Sequence, residues 1–422
     1  MRNAGMHGEG VVMYARDFFH ILLGLAALSC TALNPAYGDD ALGTGGMTSG
    51  VSAGSTSMNP TQGSTTAPDG TTSDDVDPTM TGGGTGSEPV ECWRLPLRLT
   101  APFFDDPQAV LEDVPILVDL SAAGPSEADD VRFYLGESLL PHELDLDGGF
   151  AWVRIPRIES GAALDFEAVV GPGCAPPALR PAEVWSNGFI AVWHFDRLWD
   201  DAFLDSVHGI PLELADGSGI SNQPWRLGRY LVKTNDERLT AVDERFDLSG
   251  AHDISLMGWV RLAEDQAGPL PWDTVFNNAR HRELIAKLPG YRLVAVGGQT
   301  SAGNTNEPLP FLDIAQSLEP PEHAVLQGPE AVPMGQWTMV SGVYRSAASA
   351  AQCFVGGQSG QPEGVGVEPG GGGQHTLRVG RWLHGGIDEL RISDAPRSPA
   401  WVLVQSLSMS GTLVEPGRPE PL

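Results

Sequence analysis

The chain has 422 residues, enough for more than one domain with a buried core. It carries 25 Lys and Arg against 54 Asp and Glu, a formal net charge of −29. Because phosphate backbones are bound by clustered basic residues, this balance argues against nucleic acid as a partner. Its 52 Gly and 34 Pro disfavour a helical bundle and favour short strands joined by turns. No apolar run reaches the roughly 18 residues of a membrane span.

Residues 1–38 are typical of an export signal. Phe18–Leu28 is an apolar run behind Arg16, long enough for a signal-peptide core and too short to span a bilayer. Two processing sites compete: Ala27-Leu28-Ser29-Cys30 is similar to a bacterial lipoprotein box, and Ala36-Tyr37-Gly38 is similar to a signal peptidase site. We favour Cys30, since Gly38 lies far beyond the apolar run. A lipid on Cys30 would anchor the protein to the bacterial cell envelope, at its outer surface; cleavage after Gly38 would secrete it.

Residues 39–90 have the composition of a linker. They are rich in Gly, Ser, Thr, Pro and Asp and contain no aromatic residue, Lys or Arg. Such a segment cannot bury enough apolar surface to offset its chain entropy, so we predict a disordered tether. Its ~50 residues would reach on the order of 40 Å, enough to lift a folded region off a membrane.

Residues 91–185 predict a small, β-sandwich-like all-β domain. Five segments alternate apolar and polar residues between clusters of Pro, Gly and Asp, which is the pattern of half-buried strands. They are Leu95–Leu99, Val114–Leu120, Val131–Leu135, Ala151–Ile155 and Leu164–Val170.

Cys92 and Cys174 bracket this region, and Cys353 is left over. In an oxidising compartment a bridge between the first two would tie the ends of one domain together and contribute about 4 kcal/mol. The alternative is that they are buried free thiols.

Residues 186–411 continue the pattern with longer strands, which predicts a two-sheet jelly roll. The predicted strands are Ile190–Phe195, Asp253–Leu262, Tyr291–Val296, Gln336–Tyr344, Thr376–Arg381 and Gly386–Ser393. The segment Pro269–Glu330 is a long insertion rich in Pro, Gly and Asn. Ser398 and Pro399 begin a short closing helix, and residues 412–422 are predicted to be a frayed tail.

Two family resemblances follow from these segments. Ala151–Pro156, preceded by Leu139–Glu143 and followed by Val184-Trp185, resembles an uncharacterised domain of bacterial surface proteins. The later region resembles the laminin-G and concanavalin-A-like lectin/glucanase superfamily. Its marks are Asp205–Gly209, Ile254-Ser255 leading to Trp259-Val260, Gly335–Trp337, Leu377–Gly380 and Gly386–Ile392. The resemblance implies an all-β fold of a small β domain followed by a jelly roll.

Catalytic motifs are largely missing from the sequence. There is no phosphate-binding loop, zinc-protease helix, Cys-x-x-Cys pair or nucleophile elbow. One alternative is the run Glu143-Leu144-Asp145-Leu146-Asp147, which in a strand would place three carboxylates on one face, as in jelly-roll glucanases. Because the run lies outside the jelly roll, we favour a solvated acidic turn and predict no catalytic residues.

The resemblance also implies a structural calcium ion. Asp205 and Asp388 stand where the jelly-roll family often supplies carboxylates, and calcium needs six to eight oxygen ligands. The alternative is that Asp388 or Glu389 pairs with Arg391 while Asp205 shapes a turn.

Exposed aromatic side chains are the candidates for ligand binding. Most tryptophans lie inside strand patterns and are expected in the core, but Trp199, Trp225, Trp272 and Trp382 lie in predicted loops, where sugar-stacking residues are common. The sequence therefore predicts an exported, lipid-anchored recognition protein that binds a glycan or another surface protein. A glycoside hydrolase and a purely structural envelope protein are the alternatives.

Overall fold

Leucines at alternate positions explain why the first part of the folded region is a sheet. Leu95, Leu97 and Leu99 are buried. Arg94, just before Leu95, and Arg98, between Leu97 and Leu99, reach solvent and pair with acidic residues of a neighbouring strand. A strand turns successive side chains to opposite faces, so this alternation gives one apolar and one polar face.

The computed structural model describes residues 92–121, 131–145, 149–171, 174, 181–196, 198–199, 201–214, 220–225, 228–233, 238–263, 272–273, 279–297, 308–372 and 376–422. For residues 181, 220–225, 228–233, 272–273 and 279–280 the backbone alone is described. The predicted export signal, the lipidated Cys30 and the tether of residues 39–90 lie outside the described residues.

The N-terminal region contains seven strands and one short helix within its described residues. They are β1 (Trp93–Thr100), β2 (Val110–Asp119), β3 (Val131–Leu135), β4 (Ser138–Leu139), β5 (His142–Leu144), β6 (Phe150–Glu159), β7 (Ala163–Val170) and α1 (Pro181–Val184). All five predicted strands are found here, and β2 and β6 run several residues beyond the predicted segments.

The remainder of the chain is also mostly strands, which confirms the all-β fold class. They are β8 (Phe189–Trp193), β9 (Leu198–Trp199), β10 (Ala202–Leu204), β11 (Pro211–Leu214), β12 (Ile220–Trp225), β13 (Gly228–Lys233), β14 (Leu239–Val242), β15 (Ile254–Leu262), β16 (Trp272–Asp273), β17 (Ala279–Lys287), β18 (Gly290–Gly297), β19 (Leu309–Leu318), β20 (Pro321–Gln327), β21 (Trp337–Arg345), β22 (Ala350–Val355), β23 (Gln358–Ser359), β24 (Glu363–Gly364), β25 (Thr376–Val379) and β26 (Gly385–Ser393). They are followed by α2 (Pro399–Met409), β27 (Val414–Pro416) and β28 (Glu420–Pro421).

Antiparallel pairing joins these strands into four sheets. A 10-stranded sheet runs β20-β19-β18-β17-β25-β14-β11-β10-β9, with β16 beside β17. A 9-stranded sheet runs β12-β13-β26-β15-β21-β22-β23, with β8 beside β26 and β24 beside β22. The N-terminal region adds the order β27-β1-β7-β3-β4, with β28 beside β1, and the order β2-β6-β5.

The middle strands of the nine-stranded sheet are buried on both faces. One face packs against the ten-stranded sheet over a core that includes Leu256, Leu293 and Ile392, which makes these two sheets a β-sandwich. Its other face contributes Met257 and Trp259 to a second core.

The second core joins the two predicted domains. It contains Leu97 and Ile116 of the N-terminal sheets, Met257 of the nine-stranded sheet, and Trp401 and Val402 of α2. All described residues belong to one compact unit. The predicted boundary near residue 185 therefore separates two sheet systems that share apolar contacts.

The predicted closing helix is confirmed as α2. Oγ of Ser398 accepts a hydrogen bond from the backbone N–H of Trp401, and Pro399 occupies the first turn.

Residues 412–422 depart from the predicted frayed tail. β27 and β28 pair with β1, Leu413 is buried, and the N–H of Leu422 donates to the carbonyl of Cys92. The reason is that β1 is otherwise an edge strand on this side, and its unpaired backbone groups give the tail a partner.

The long insertion of residues 269–330 supplies strands to the sandwich. β16 to β20 all lie within it, and β17 to β20 form one end of the ten-stranded sheet. Its described parts are therefore mostly sheet.

The cysteine prediction is confirmed. Cys92 and Cys174 form a disulfide with a Cα–Cα distance of 5.9 Å, and it ties the start of β1 to the chain beyond β7. Cys353 is a free, buried thiol in the sandwich core, where burial raises its pKa to about 12. A thiol held in this neutral form is unreactive.

Candidate functional site

A cluster of charged side chains lies between the N-terminal sheets and the nine-stranded sheet. His194, just after β8, is at its centre: Nδ1 lies 2.9 Å from both carboxylate oxygens of Glu389, and Nε2 lies 3.4 Å from Oε2 of Glu143. Glu389 also accepts a hydrogen bond of 2.8 Å from Nη2 of Arg391. One imidazole therefore lies between two carboxylates from different regions of the chain. We call these four residues the His194 network.

Indole rings and polar groups enclose this network. Glu143 accepts hydrogen bonds from Nε1 of Trp185 at 2.5 Å and from Oγ of Ser206 at 2.6 Å. The guanidinium carbon of Arg391 lies 4.2 Å from the ring centroid of Trp152 and 4.9 Å from that of Trp185. Cation–π contacts are strongest in desolvated sites, so the rings replace part of the hydration that Arg391 loses on burial.

Helix α2 closes the cluster on one side. Nη1 of Arg391 donates to the side-chain oxygen of Gln405, and Nε2 of Gln405 donates to the carbonyl of Pro115 on β2 at 2.6 Å. The network thus links β26, α2 and the N-terminal sheets through hydrogen bonds.

A β-bulge in β26 directs the acidic residues away from the sandwich core. Ile387 and Leu390 both face that core, although regular alternation would put residues three apart on opposite faces. The register against β15 shifts at this point, and Glu389 has a φ of 49°, in the left-handed region. The bulge places Asp388 and Glu389 together between two core residues and lets Glu389 reach His194.

Burial disfavours the charged form of each group in the network. The neighbouring charges oppose this effect and set the direction in which the pKa of His194, Glu143 and Glu389 shifts. For His194, attraction to Glu389 and Glu143 outweighs burial and raises the imidazole pKa well above its usual value. For Glu143 and Glu389, burial is likewise outweighed by the attraction and hydrogen bonds of His194, so both carboxyl pKa values are lowered. At neutral pH the cationic His194 and Arg391 balance the two carboxylates.

Asp388, beside the network, behaves in the opposite way. Its Oδ1 accepts the backbone N–H of Glu389 at 2.8 Å, and its Oδ2 is buried with no hydrogen-bond partner among the described residues. Burial, reinforced by the charge of Glu389, raises the pKa of Asp388 well above its usual value. Calcium would have to displace a proton to bind this carboxyl group.

Asp205 holds together the loop between β10 and β11. Its Oδ1 accepts the backbone N–H groups of Val207 at 2.8 Å and His208 at 3.0 Å, and its Oδ2 accepts that of Ile210 at 2.5 Å. Burial raises the pKa of Asp205 despite these hydrogen bonds. This is the turn-shaping role that was the alternative to calcium binding.

The two predicted calcium ligands lie on either side of the His194 network. Ser206, next to Asp205, donates to Glu143, whereas Asp388 precedes Glu389 in the chain. Among the residues that the structure describes, no group of three or more His, Cys, Asp or Glu side chains could hold a metal ion. Calcium binding stays a prediction, and the alternative pairing of Glu389 with Arg391 is present.

The acidic run at residues 143–147 does not form an open cleft around Glu143. That carboxylate is enclosed by Trp185, Ser206 and His194, and β5 ends at Leu144. Asp147 lies outside the described residues. A retaining glycosidase needs two carboxyl groups that face the scissile bond from opposite sides, and an enclosed Glu143 does not offer that access.

The four tryptophans predicted to bind ligand lie in or beside four different strands. Trp199 ends β9 at one edge of the ten-stranded sheet, and Trp225 ends β12 at one edge of the nine-stranded sheet. Trp272 lies in β16, which pairs with the end of β17 in the ten-stranded sheet, and Trp382 follows β25. Ligand binding by these four tryptophans stays a prediction.

Trp382 is half-buried and held by its neighbours. The guanidinium carbon of Arg381 lies 3.7 Å from its ring centroid, and the His281 ring meets it edge-on at 4.9 Å. This environment matches the loop-anchoring role of an aromatic side chain.

Trp199 belongs to a row of side chains on the outward face of the ten-stranded sheet. Strand pairing places Trp199 opposite Ala202, Ala202 opposite Glu213, and Glu213 opposite Thr240. Directly paired residues share a face of the sheet. Neighbours of Ala202, Glu213 and Thr240 along their strands belong to the sandwich core, so the row itself faces outward.

Large apolar side chains beside this row reach solvent. Trp199 is 59% exposed, Leu204 48% and Val242 67%. Leu204 and Val242 each lie two residues beyond a member of the row and therefore on the same face. We call the surface formed by Trp199, Leu204, Glu213, Thr240 and Val242 the Trp199 face.

A groove of about 300 Å³ lies between the loop after β1, the β22–β23 hairpin and the start of α2. Its lining includes Phe103, Asp105, Asp106, Gln358, Ser359 and Pro399, and we call it the Phe103 groove. Phe103 is 86% exposed. Sequence reasoning missed these residues, which are distant in the chain; the local signal is two adjacent Phe followed by two Asp in a loop.

No family model matches the chain, and no curated protein matches it. Among solved structures, the binding domain of Paraclostridial mosquitocidal protein 1 is 10% identical with a TM-score of 0.39, and the overlap covers 53% of this chain and 52% of that one. Domain 4 of the extracellular arabinanase AbnA from Geobacillus stearothermophilus, in complex with arabinotriose, is 19% identical with a TM-score of 0.37, covering 51% of this chain and 97% of that one. The botulinum neurotoxin serotype D ligand-binding domain, in complex with N-acetylneuraminic acid, is 10% identical with a TM-score of 0.36, covering 53% and 51%.

This chain thus spans about half the length of the two toxin domains. Similarity at these scores assigns neither a ligand nor a role to any residue of this chain. Of the helices in the described part of the chain, none has the length and apolar character to cross a membrane.

Proposed function

We propose that this chain is a non-catalytic recognition protein that binds a glycan on the Trp199 face. The observation that carries the proposal is the row from Trp199 to Thr240, where an exposed indole shares one sheet face with hydrogen-bonding groups. The row crosses three strand spacings, about 14 Å, which suits a short oligosaccharide lying across the strands.

The chemistry of the Trp199 face fits a sugar. The face of an indole ring is electronegative and attracts the weakly positive C–H groups of a pyranose ring. Glu213 and Thr240 offer a carboxylate and a hydroxyl to sugar hydroxyl groups on the same surface. A folded monomer gains little from leaving Trp199, Leu204 and Val242 in water, and apolar exposure of this kind marks binding surfaces.

The proposal includes export and a lipid on Cys30, with residues 39–90 as a tether to the cell envelope. Its support is the apolar run ahead of Cys30 and the composition of the tether. In cells fed labelled palmitate, the wild-type protein should incorporate label and Cys30→Ser should not. Label in both would remove the anchor from the proposal.

The glycan proposal is tested with the full chain on a glycan array, once with millimolar calcium and once with a chelator. Captured glycans are then titrated calorimetrically against Trp199→Ala. We expect at least about a fivefold loss of affinity, because truncating a central aromatic contact typically costs more than about 1 kcal/mol.

The matched control is Trp93→Ala, which removes another partly exposed indole, 37% exposed, from β1 of the N-terminal region. It should bind as the wild type does. An array with no captured glycan in either buffer would overturn the proposal and favour a protein partner or a structural role. Equal loss in both variants would overturn the assignment to the Trp199 face.

A further inference from the structure

Phe103 is an aromatic ring fixed in place without being buried. A Cβ added to Gly161 would overlap Cε1 of Phe103, so the ring rests directly against the glycine backbone. The N–H of Gly161 donates to the carbonyl of Pro102 at 3.0 Å, and the N–H of Phe104 donates to Oγ of Ser160 at 2.9 Å. The loop is therefore tied to the β6–β7 turn, and the Phe103 ring keeps its exposed position.

Polar groups stand around this ring. Asp106 uses Oδ1 to accept the N–H of Gln108 at 2.9 Å, which turns the loop, and Asp105 has no hydrogen bond or ion pair among the described residues. Gln358 and Ser359 form β23 on the opposite wall, and their side chains are exposed. The groove thus offers carboxylate acceptors on one wall and an amide and a hydroxyl on the other.

The size and charge of the groove narrow the class of ligand. About 300 Å³ is at the lower limit of small-molecule sites, which suits a single ring. Lys, Arg and His are absent from the described lining, and two carboxylates would repel an anion. A neutral ligand with several hydroxyl groups and one apolar face satisfies both walls.

We propose that the Phe103 groove is a second sugar site, which holds one neutral pyranose ring. The C–H face of the ring lies on Phe103, and sugar hydroxyls donate to Asp105 and Asp106 and exchange hydrogen bonds with Gln358 and Ser359. The ligand class rests on the proposed function, whereas the location rests on the groove alone. Because both walls are needed, the site exists only when the N-terminal region is packed against the sandwich.

The experiment is saturation-transfer NMR with the full chain and separate methyl pyranosides of glucose, galactose and mannose. We expect at least one to receive saturation in the wild type, with a dissociation constant in the millimolar range for a single ring. Phe103→Leu keeps an apolar side chain but removes the π face, and it should weaken that binding at least about fivefold. Phe103→Tyr keeps the π face and should bind as the wild type does.

Trp199→Ala separates the two proposals, because it leaves the groove intact. Saturation transfer that survives in Trp199→Ala and is lost in Phe103→Leu supports the groove, whether or not the array captures a glycan. A second outcome is that glycan capture depends on Trp199 but no methyl pyranoside signal depends on Phe103. This result would overturn the sugar site in the Phe103 groove and would still support the Trp199 face. Equal signals from Phe103→Leu and wild type also overturn it.

Discussion

The His194 network and the Phe103 groove use carboxylates in opposite ways. In the network Glu143 and Glu389 are enclosed, and His194 and Arg391 provide each with a cation or a hydrogen-bond donor. In the groove Asp105 is exposed and has no described cation within ion-pair distance. A buried carboxylate that is paired with a cation stabilises the fold. An exposed carboxylate stays hydrated, so it destabilises the fold little and is free to bind a ligand.

The largest expected effect comes from removing the centre of the network. His194→Gln would leave two buried carboxylates with a single cation, Arg391, which lies beside Glu389. Removing one partner of a buried ion pair costs about 3 to 5 kcal/mol. We therefore expect the free energy of unfolding at pH 7 to fall by about that amount in urea titrations.

The control is His323→Gln. His323 contacts Asp313 at 3.1 Å, but Asp313 keeps its ion pair with Arg292 at 2.6 Å. The control should lose much less stability. If the free energy of unfolding falls by the same amount in both variants, the His194 network has no special role in joining the two sheet systems.

The pH dependence of the same variant sharpens the assignment of charges. Because the pKa of His194 is raised in the fold, its contribution is present at low pH and is lost as pH rises through the raised value. Because the pKa values of Glu143 and Glu389 are lowered, their contribution is lost as pH falls through those values. Wild-type stability should thus decline on the alkaline side, and His194→Gln should lack that decline.

Substitution of Asp388 is expected to raise the free energy of unfolding, whereas His194→Gln lowers it. Its raised pKa means that folding above the usual Asp value of 3.8 requires proton uptake, so the contribution of this residue is lost as pH rises. Asp388→Asn removes that requirement while an oxygen remains to accept the N–H of Glu389. The variant should be more stable than the wild type at pH 7, and the gain should grow by at most about 1.4 kcal/mol per pH unit and vanish in acid.

The control for this prediction is Asp119→Asn on β2, which removes an exposed carboxylate and should change the free energy of unfolding at pH 7 by less than about 0.5 kcal/mol. A destabilised Asp388→Asn at pH 7 would show that Asp388 is charged in the fold and supports its neighbours as an anion.

Local patterns in the sequence were sufficient to predict much of the fold. Alternation of apolar and polar residues identified the strands around Leu97 and Val153, and Ser398 with Pro399 identified α2. The position of Cys92 and Cys174 around one region suggested a disulfide, with free thiols as the alternative, and the structure shows the disulfide. Each of these features depends on neighbouring residues or on one clear spacing.

Features that depend on distant strands were not predictable. The pairing of β27 with β1 joins chain segments more than 300 residues apart, and no local pattern marks Leu413 as buried. The bulge at Glu389 lets its carboxylate reach His194, which follows β8 and also faces Glu143 in β5, so three distant strands contribute. The Phe103 groove combines a loop, a hairpin and a helix end, so its residues share no sequence signature.

The smallest expected effect on stability comes from a substitution in the Phe103 groove. Asp105→Asn removes an exposed charge that has no described partner, so the free energy of unfolding should change by less than about 0.5 kcal/mol in urea titrations. The variant should also weaken binding of the methyl pyranoside that the groove selects, since an amide is a weaker acceptor than a carboxylate. A clear loss of stability would mean that Asp105 supports the fold, as Glu143 does, and the contrast between the enclosed network and the open groove would then fail.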